Sequence, residues 1–199
     1  MGIIAAHRDA GCVTPEVRAA FDSAVAALVR AGAAVEDVAL PDLAEVSGAL
    51  MLILLPEAFA AHAQRLARAP GQMAEATRAQ LDAGAAIPAA AYVRARQFRA
   101  RMQAAVASCL ARFDALLSPS VPFVAPAEDP PIEEDGGSPE MLCSALANLV
   151  GAPAISLPAP AALGALPAGL QLMGASGADA DLLDVAESIE SALVARHNN

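Results

Sequence analysis

The sequence predicts an α/β fold, a mixed β-sheet flanked by helices. Three observations carry that expectation: a strand–helix–strand opening, a long helical middle, and two short apolar strands near the C-terminus joined by proline- and glycine-punctuated turns. At 199 residues the chain is long enough for one core, and it reads as a single domain or part-domain over residues 1–199. Hydrophobic residues make up 56 % of it, but much of that is alanine and aromatics reach only 3 %. Leu, Val, Ile and Met therefore have to build the core, at about 25 cal/mol per Å² of apolar surface buried.

Gly2 to Ala6 is an apolar run with the character of a buried strand. Thr14-Pro15 offers an N-cap and a first-turn proline, and Val17, Phe21, Ala24, Val25, Leu28 and Val29 follow at helical spacing until Gly32. Val35 to Leu40 alternates apolar and acidic residues, as an exposed or edge strand does, and Pro41 ends it. Leu43 to Ala69 and Gly71 to about Ala83 are rich in helix formers, with Pro70-Gly71 between them. Pro88 opens a third long helix with an apolar stripe of Tyr92, Ala95, Phe98, Met102, Val106 and Cys109. Its Arg94, Arg96, Arg99 and Arg101 are assigned to the solvated side.

Asp114 to Ser118 reads as a brief buried strand, and Pro119 to Gly137 as an extended loop. A helix over 139–149 leads into the two C-terminal strands, and Asp179 or Asp181 caps a last helix with Leu182, Ala186, Ile189 and Leu193 on one face. Pro153 and Pro158 bracket the first of those strands. Gly151 and Gly169 stand where turns or close backbone approach are needed. Leu170-Gln171-Leu172 alternates, which turns Gln171 away from its leucine neighbours.

Composition excludes several functions. A net charge of −10 with no basic stripe disfavours nucleic acid, whose binding depends on cationic side chains. The three cysteines, Cys12, Cys109 and Cys143, are scattered and odd in number, and read as reduced thiols of a cytoplasmic protein. The apolar run from Ala49 to Leu55 is expected to end at Pro56, short of the ~18 residues of a membrane span. No membrane partner is expected. His7, His62 and His197 have no ligand spacing, so no metal site follows, and no glycine-rich phosphate loop or other cofactor motif occurs. The acidic cluster Glu128, Asp129, Glu133, Glu134 and Asp135 sits in a proline-rich stretch that reads as a solvated loop or flap.

Two decoys fall on chemistry. His7-Arg8-Asp9 mimics a kinase catalytic loop, but Thr14 stands where that loop needs Asn. Gly174-Ala-Ser176-Gly177-Ala178 mimics a nucleophile elbow without its final glycine. Its downstream histidine, His197, lies about 30 Å away along one helix at 1.5 Å per residue.

The run Asn148-Leu-Val-Gly151-Ala-Pro153-Ala-Ile-Ser156-Leu-Pro158, followed by Leu166-Pro167-Ala-Gly169-Leu-Gln171-Leu-Met-Gly174, resembles the C-terminal signature of the amidase signature family. Phe113-Asp114 through Pro119-Ser120-Val-Pro122 looks like the family's strand and proline loop. The helix from Gly177 through Asp181 to Glu187 is similar to its closing helix, and Ile3 to Asp42 to the strand, helix and strand after its catalytic core. The resemblance covers nearly the whole chain, strongly after Asp114 and weakly between Gly48 and Ala90. It implies the C-terminal half of that family's α/β/α fold.

The resemblance also implies amide C–N hydrolysis by a lysine base, a bridging serine and a serine nucleophile within a Gly/Ser-rich segment. All twelve cationic side chains here are arginine, and no Gly/Ser-rich run occurs. No catalytic residue is therefore assigned to the chain, which alone is expected to be inactive. Those elements would be encoded upstream of Met1. Ser144, Asn148 and Gln171 read equally as substrate-pocket wall or as structural hydrogen bonds, and Arg78 as a substrate anchor or a solvated helix residue. Met141 replaces an acid of glutamine-using members, which argues against tRNA amidation. The expected function is a C-terminal segment giving scaffold and pocket wall to a missing N-terminal catalytic half that acts on a small-molecule amide. The alternative is a stand-alone binding or interaction module that covers its exposed edges by self-dimerisation.

Overall fold

The computed structural model describes residues 1–128, 139–160 and 165–194. Asp129, Glu133, Glu134 and Asp135 of the acidic cluster, and His197, lie outside the described residues. Five strands form one mixed sheet in the order β2-β1-β3-β5-β4. They are β1 (Gly2–Ile4), β2 (Glu36–Val38), β3 (Leu116–Pro119), β4 (Ala154–Pro158) and β5 (Gly169–Met173). β1 runs parallel to both β2 and β3, whereas β5 runs antiparallel to β3 and β4.

Alternation along the strands divides the core in two. Ile3, Leu117, Leu170 and Leu172 face α2 (Pro15–Arg30) and α7 (Asp179–Val194), packing with Phe21, Leu28, Leu182 and Ile189. Ile4, Leu116 and Met173 face the other way, onto Ile53, Phe98, Met102 and Leu146. Those side chains come from α3 (Val46–Arg68), α5 (Ala89–Leu110) and α6 (Met141–Val150). Each face of the sheet thus has a helical cover, which is the three-layer solution for a sheet apolar on both sides.

Several elements depart from the expectation. The first strand stops at Ile4 and the chain turns into a short helix, α1 (Ala5–Arg8). Its His7 is 2 % exposed, while Arg8 forks onto Asp9 and Asp37 at 2.8 and 2.7 Å, tying α1 to β2. The helix expected over Leu43 to Ala69 is observed as α3, whose 23 residues run through Pro56. By length and composition Leu43–Arg68 is sufficient to cross a membrane, with a hydropathy of 1.7 over its most apolar window, of which 22 % is buried. In this fold Val46, Ala49 and Ile53 anchor its first half in the core, and α4 (Glu75–Ala85) packs along it. Of the four α5 arginines assigned to solvent, Arg99 is half-buried, with its guanidinium beside Gly151 at the C-terminus of α6. A cation there complements the helix dipole.

The two sheet edges differ. β2 exposes Glu36 and Asp37, charges that discourage further strand pairing. β4 exposes Ala154, Ser156 and Pro158 and carries no charge. Among the described residues nothing pairs with its outer edge.

Candidate functional site

The polar groups of the sheet collect on the face that looks toward α6. Register aligns Ser118 of β3, Gln171 of β5 and Ser156 of β4 in one row, because Gln171 pairs with both. Ser120 shares that face two residues beyond Ser118. Buried polar side chains among the described residues are few: His7, Ser118 and Gln171.

Gln171 is the joint of the arrangement. Its Nε2 donates to Ser118 Oγ at 3.2 Å and to the Cys143 carbonyl at 2.9 Å. The carbonyl can only accept, which fixes the amide with its nitrogen toward α6. Ser118 Oγ passes its own proton to the Pro119 carbonyl at 3.0 Å. The chain of bonds clamps α6 onto the sheet. We expect Gln171→Leu to cost about 1–2 kcal/mol by stranding the Cys143 carbonyl and the serine, measured by urea denaturation against Gln171→Glu at low pH. Burial pushes the Cys143 thiol up to about 12, so it packs as an inert apolar group.

Beside this joint, Ser120 and Ser156 join hydroxyl to hydroxyl at 2.5 Å. They meet over Gly169, where any Cβ would overlap both side chains. The glycine is thus required by close approach, as its position in the sequence suggests. Gly151 is required by conformation: its φ of 72° is the left-handed stop of α6.

The four expected binding residues do not form one cluster. Asn148 and Ser144 meet along α6, the Asn148 amide donating to the Ser144 carbonyl at 3.0 Å on the outer side of the helix. Gln171 joins the same helix through Cys143, one residue from Ser144. Arg78 stands apart on α4, its Nε buried without a hydrogen-bond partner among the described residues. Ser118, Ser120 and Ser156 join Gln171 in this polar patch, and the sequence reading did not single them out as candidates. Their signal was there: polar residues at alternate positions of otherwise apolar strands, in step with Gln171.

Two clefts, of about 450 and 470 Å³, lie elsewhere. One separates the end of α2 from α7, and the other separates α5 from the end of α6. Both are mainly apolar. The described residues contain no group of three His, Cys, Asp or Glu placed to hold a metal.

A mixed five-stranded sheet with helices on both faces is an α/β arrangement similar to that of amidases. The chain belongs to the amidase family: a family model for amidases matches residues 3–183. It is 31 % identical over 153 residues to an amidase of Pseudomonas putida, an alignment covering 73 % of this chain and 33 % of that one. It is 30 % identical over 202 residues to a glutamyl-tRNA(Gln) amidotransferase subunit of Symbiobacterium thermophilum, covering 87 % of this chain and 41 % of that protein. A crystal structure of an amidase superposes with a TM-score of 0.84 at 28 % identity, covering 97 % of this chain and 45 % of the other. The chain therefore spans less than half the length of each of these relatives. Family members are hydrolases of C–N bonds.

Proposed function

We propose that the chain acts as the C-terminal segment of an amidase-type hydrolase, giving scaffold and substrate-pocket wall to a catalytic core carried on another segment. The observation that carries this reading is the outer edge of β4, uncharged and, among the described residues, unpaired, beside a polar patch. A finished sheet normally covers, charges or bends such an edge. Three further facts support it. The chain has no lysine to serve as the family's base, it spans under half of its relatives, and α3 leaves Leu54 half exposed. On this reading the remainder of the enzyme covers α3 and β4. Ser144 and Asn148 then face the pocket, Gln171 holds α6 in place behind them, and a small-molecule amide is the substrate.

The experiment is an activity assay on the purified chain with simple linear amides. No turnover is expected. Turnover that titrates with an active-site reagent would overturn the reading. A reading frame upstream of Met1 that encodes a lysine and a Gly/Ser-rich segment would support it directly. The same bare edge also supports a second reading, a stand-alone binding module that pairs β4 with a second copy. Sedimentation of a clean monomer would count against that alternative.

A further inference from the structure

The cleft of about 450 Å³ between the end of α2 and α7 takes no part in the polar patch. It lies on the opposite face of the sheet, the side covered by Leu28 and Ile189. Asp114 lines it, and the extended stretch from Asp114 to Ser120 is about 20 Å long at 3.3 Å per residue. Its apolar wall continues the core: Leu28 and Ile189 are buried there, and Val185 packs against them partly exposed. Its polar groups are unbalanced. The backbone N–H groups of Ala31, Gly32 and Ala33 are spent on the carbonyls of Ala27, Val29 and Leu28. Ser188 spends its hydroxyl proton on the Asp184 carbonyl at 3.0 Å. The Asp114 and Asp184 carboxylates, by contrast, have no ion-pair or hydrogen-bond partner among the described residues. The cation on the lining is the Met1 ammonium, which donates to the Ala34 carbonyl at 2.8 Å. Two carboxylates against that one ammonium leave the cleft net negative and rich in unused acceptors.

We propose that this cleft binds an organic ammonium ion with an apolar body, its hydrocarbon against Leu28, Val185 and Ile189 and its –NH3+ at Asp114 and Asp184. Small-molecule sites are mostly apolar clefts of about 300–1,000 Å³ in which a few polar groups fix the orientation, and this one has that make-up. Each half of the ligand has its own counterpart. A bare ammonium gains the carboxylates but buries no apolar surface. A neutral alcohol of the same shape fills the cleft and forgoes the ion pairs. A carboxylate meets charges of its own sign, and the net charge of −10 on the chain adds to that repulsion. A metal ion fits poorly, because no third His, Cys, Asp or Glu among the described residues joins the two carboxylates. The site uses nothing from β4 or α3, so it is the same whether the chain works as a segment or as a stand-alone module.

The test titrates 4-phenylbutylammonium into the isotope-labelled chain at pH 7 and low salt and follows backbone amide shifts. The matched neutral and anionic probes are 4-phenylbutanol and 4-phenylbutyrate. Saturable shifts are expected at residues 28–33, 114 and 184–192, with a Kd on the order of 1 mM at the usual efficiency of small ligands. The alcohol should bind about fivefold more weakly, the size of effect that exposed ion pairs have, and the butyrate should not saturate. Asp114→Asn and Asp184→Asn should each reduce the preference for the amine, and the double variant should abolish it while the alcohol binds as before. A general loss of structure would weaken the alcohol as well. Equal binding of amine and alcohol by the parent chain, shifts centred on α3 instead of the cleft, or a preference that survives the double variant overturns the proposal. The comparison of the three probes needs no variant, so it decides the matter even where a substitution disturbs folding.

Discussion

Gly84→Ala should destabilise the fold by about 3 kcal/mol, near the upper end for overpacking, whereas Gly48→Ala should stabilise it by up to about 1 kcal/mol. Both glycines lie in helices, where alanine is the better former. At Gly48, on the first turn of α3, an added methyl meets open space, so the propensity gain is expressed in full. At Gly84, on α4, the methyl would land on the carbonyl group of Leu55 in the neighbouring helix. That obstacle is backbone and cannot rotate aside. Relief requires α3 and α4 to separate next to Pro56, where the α3 ladder already lacks one N–H donor. Thermal or urea denaturation of the two variants should give shifts of opposite sign. A neutral Gly84→Ala would show that the helix pair has slack the packing does not suggest.

The second large effect is acid sensitivity from His7. Burial among α1, β1 and β3 lowers its pKa from 6.5 to about 4. Between those values the unfolded chain binds a proton that the folded chain refuses. Stability is complete above pH 6.5 and falls as pH drops toward 4, by about 1.4 kcal/mol per pH unit and about 3 kcal/mol in all. Asp9 works in a lower window. Its hydrogen bonds to Arg8 and Arg18 hold its carboxyl well below the usual range, so its contribution is lost only in stronger acid. Denaturation midpoints from pH 7.5 to 4.5 should therefore fall for the parent chain and stay flat for His7→Leu. Parallel profiles would mean that other groups carry the acid response.

The parts of the fold that came through in the sequence are those with a long period or a strong stop. α2 opens at Pro15 and ends before Gly32, although the Thr14 side chain makes no capping hydrogen bond, and α7 shows its stripe of Leu182, Ala186, Ile189 and Leu193. The parts that did not are short or set by tertiary context. α1 has four residues and no room for periodicity. β3 begins at Leu116, two residues later than its apolar run suggests, because pairing with Met173 of β5 sets its start. The long helix over Leu43 to Ala69 did come through, and Val46, Ala49 and Ile53 hold its first half to the core despite Pro56.

The site was legible in the same uneven way. Gln171 announced itself by alternation. Its anchor is a backbone carbonyl 28 residues away, which no side-chain pattern displays. Ser120 and Ser156 are 36 residues apart and meet only once the register of three strands is known.

The unlike edges of the sheet also bear on what self-association the chain permits. Two copies joined through β4 would use up the neutral edge of each and present an acidic β2 at both outer limits. Like charges then face any further arrival, and growth halts at two. A fibre needs each added copy to offer a fresh compatible edge, and this sheet has one to give.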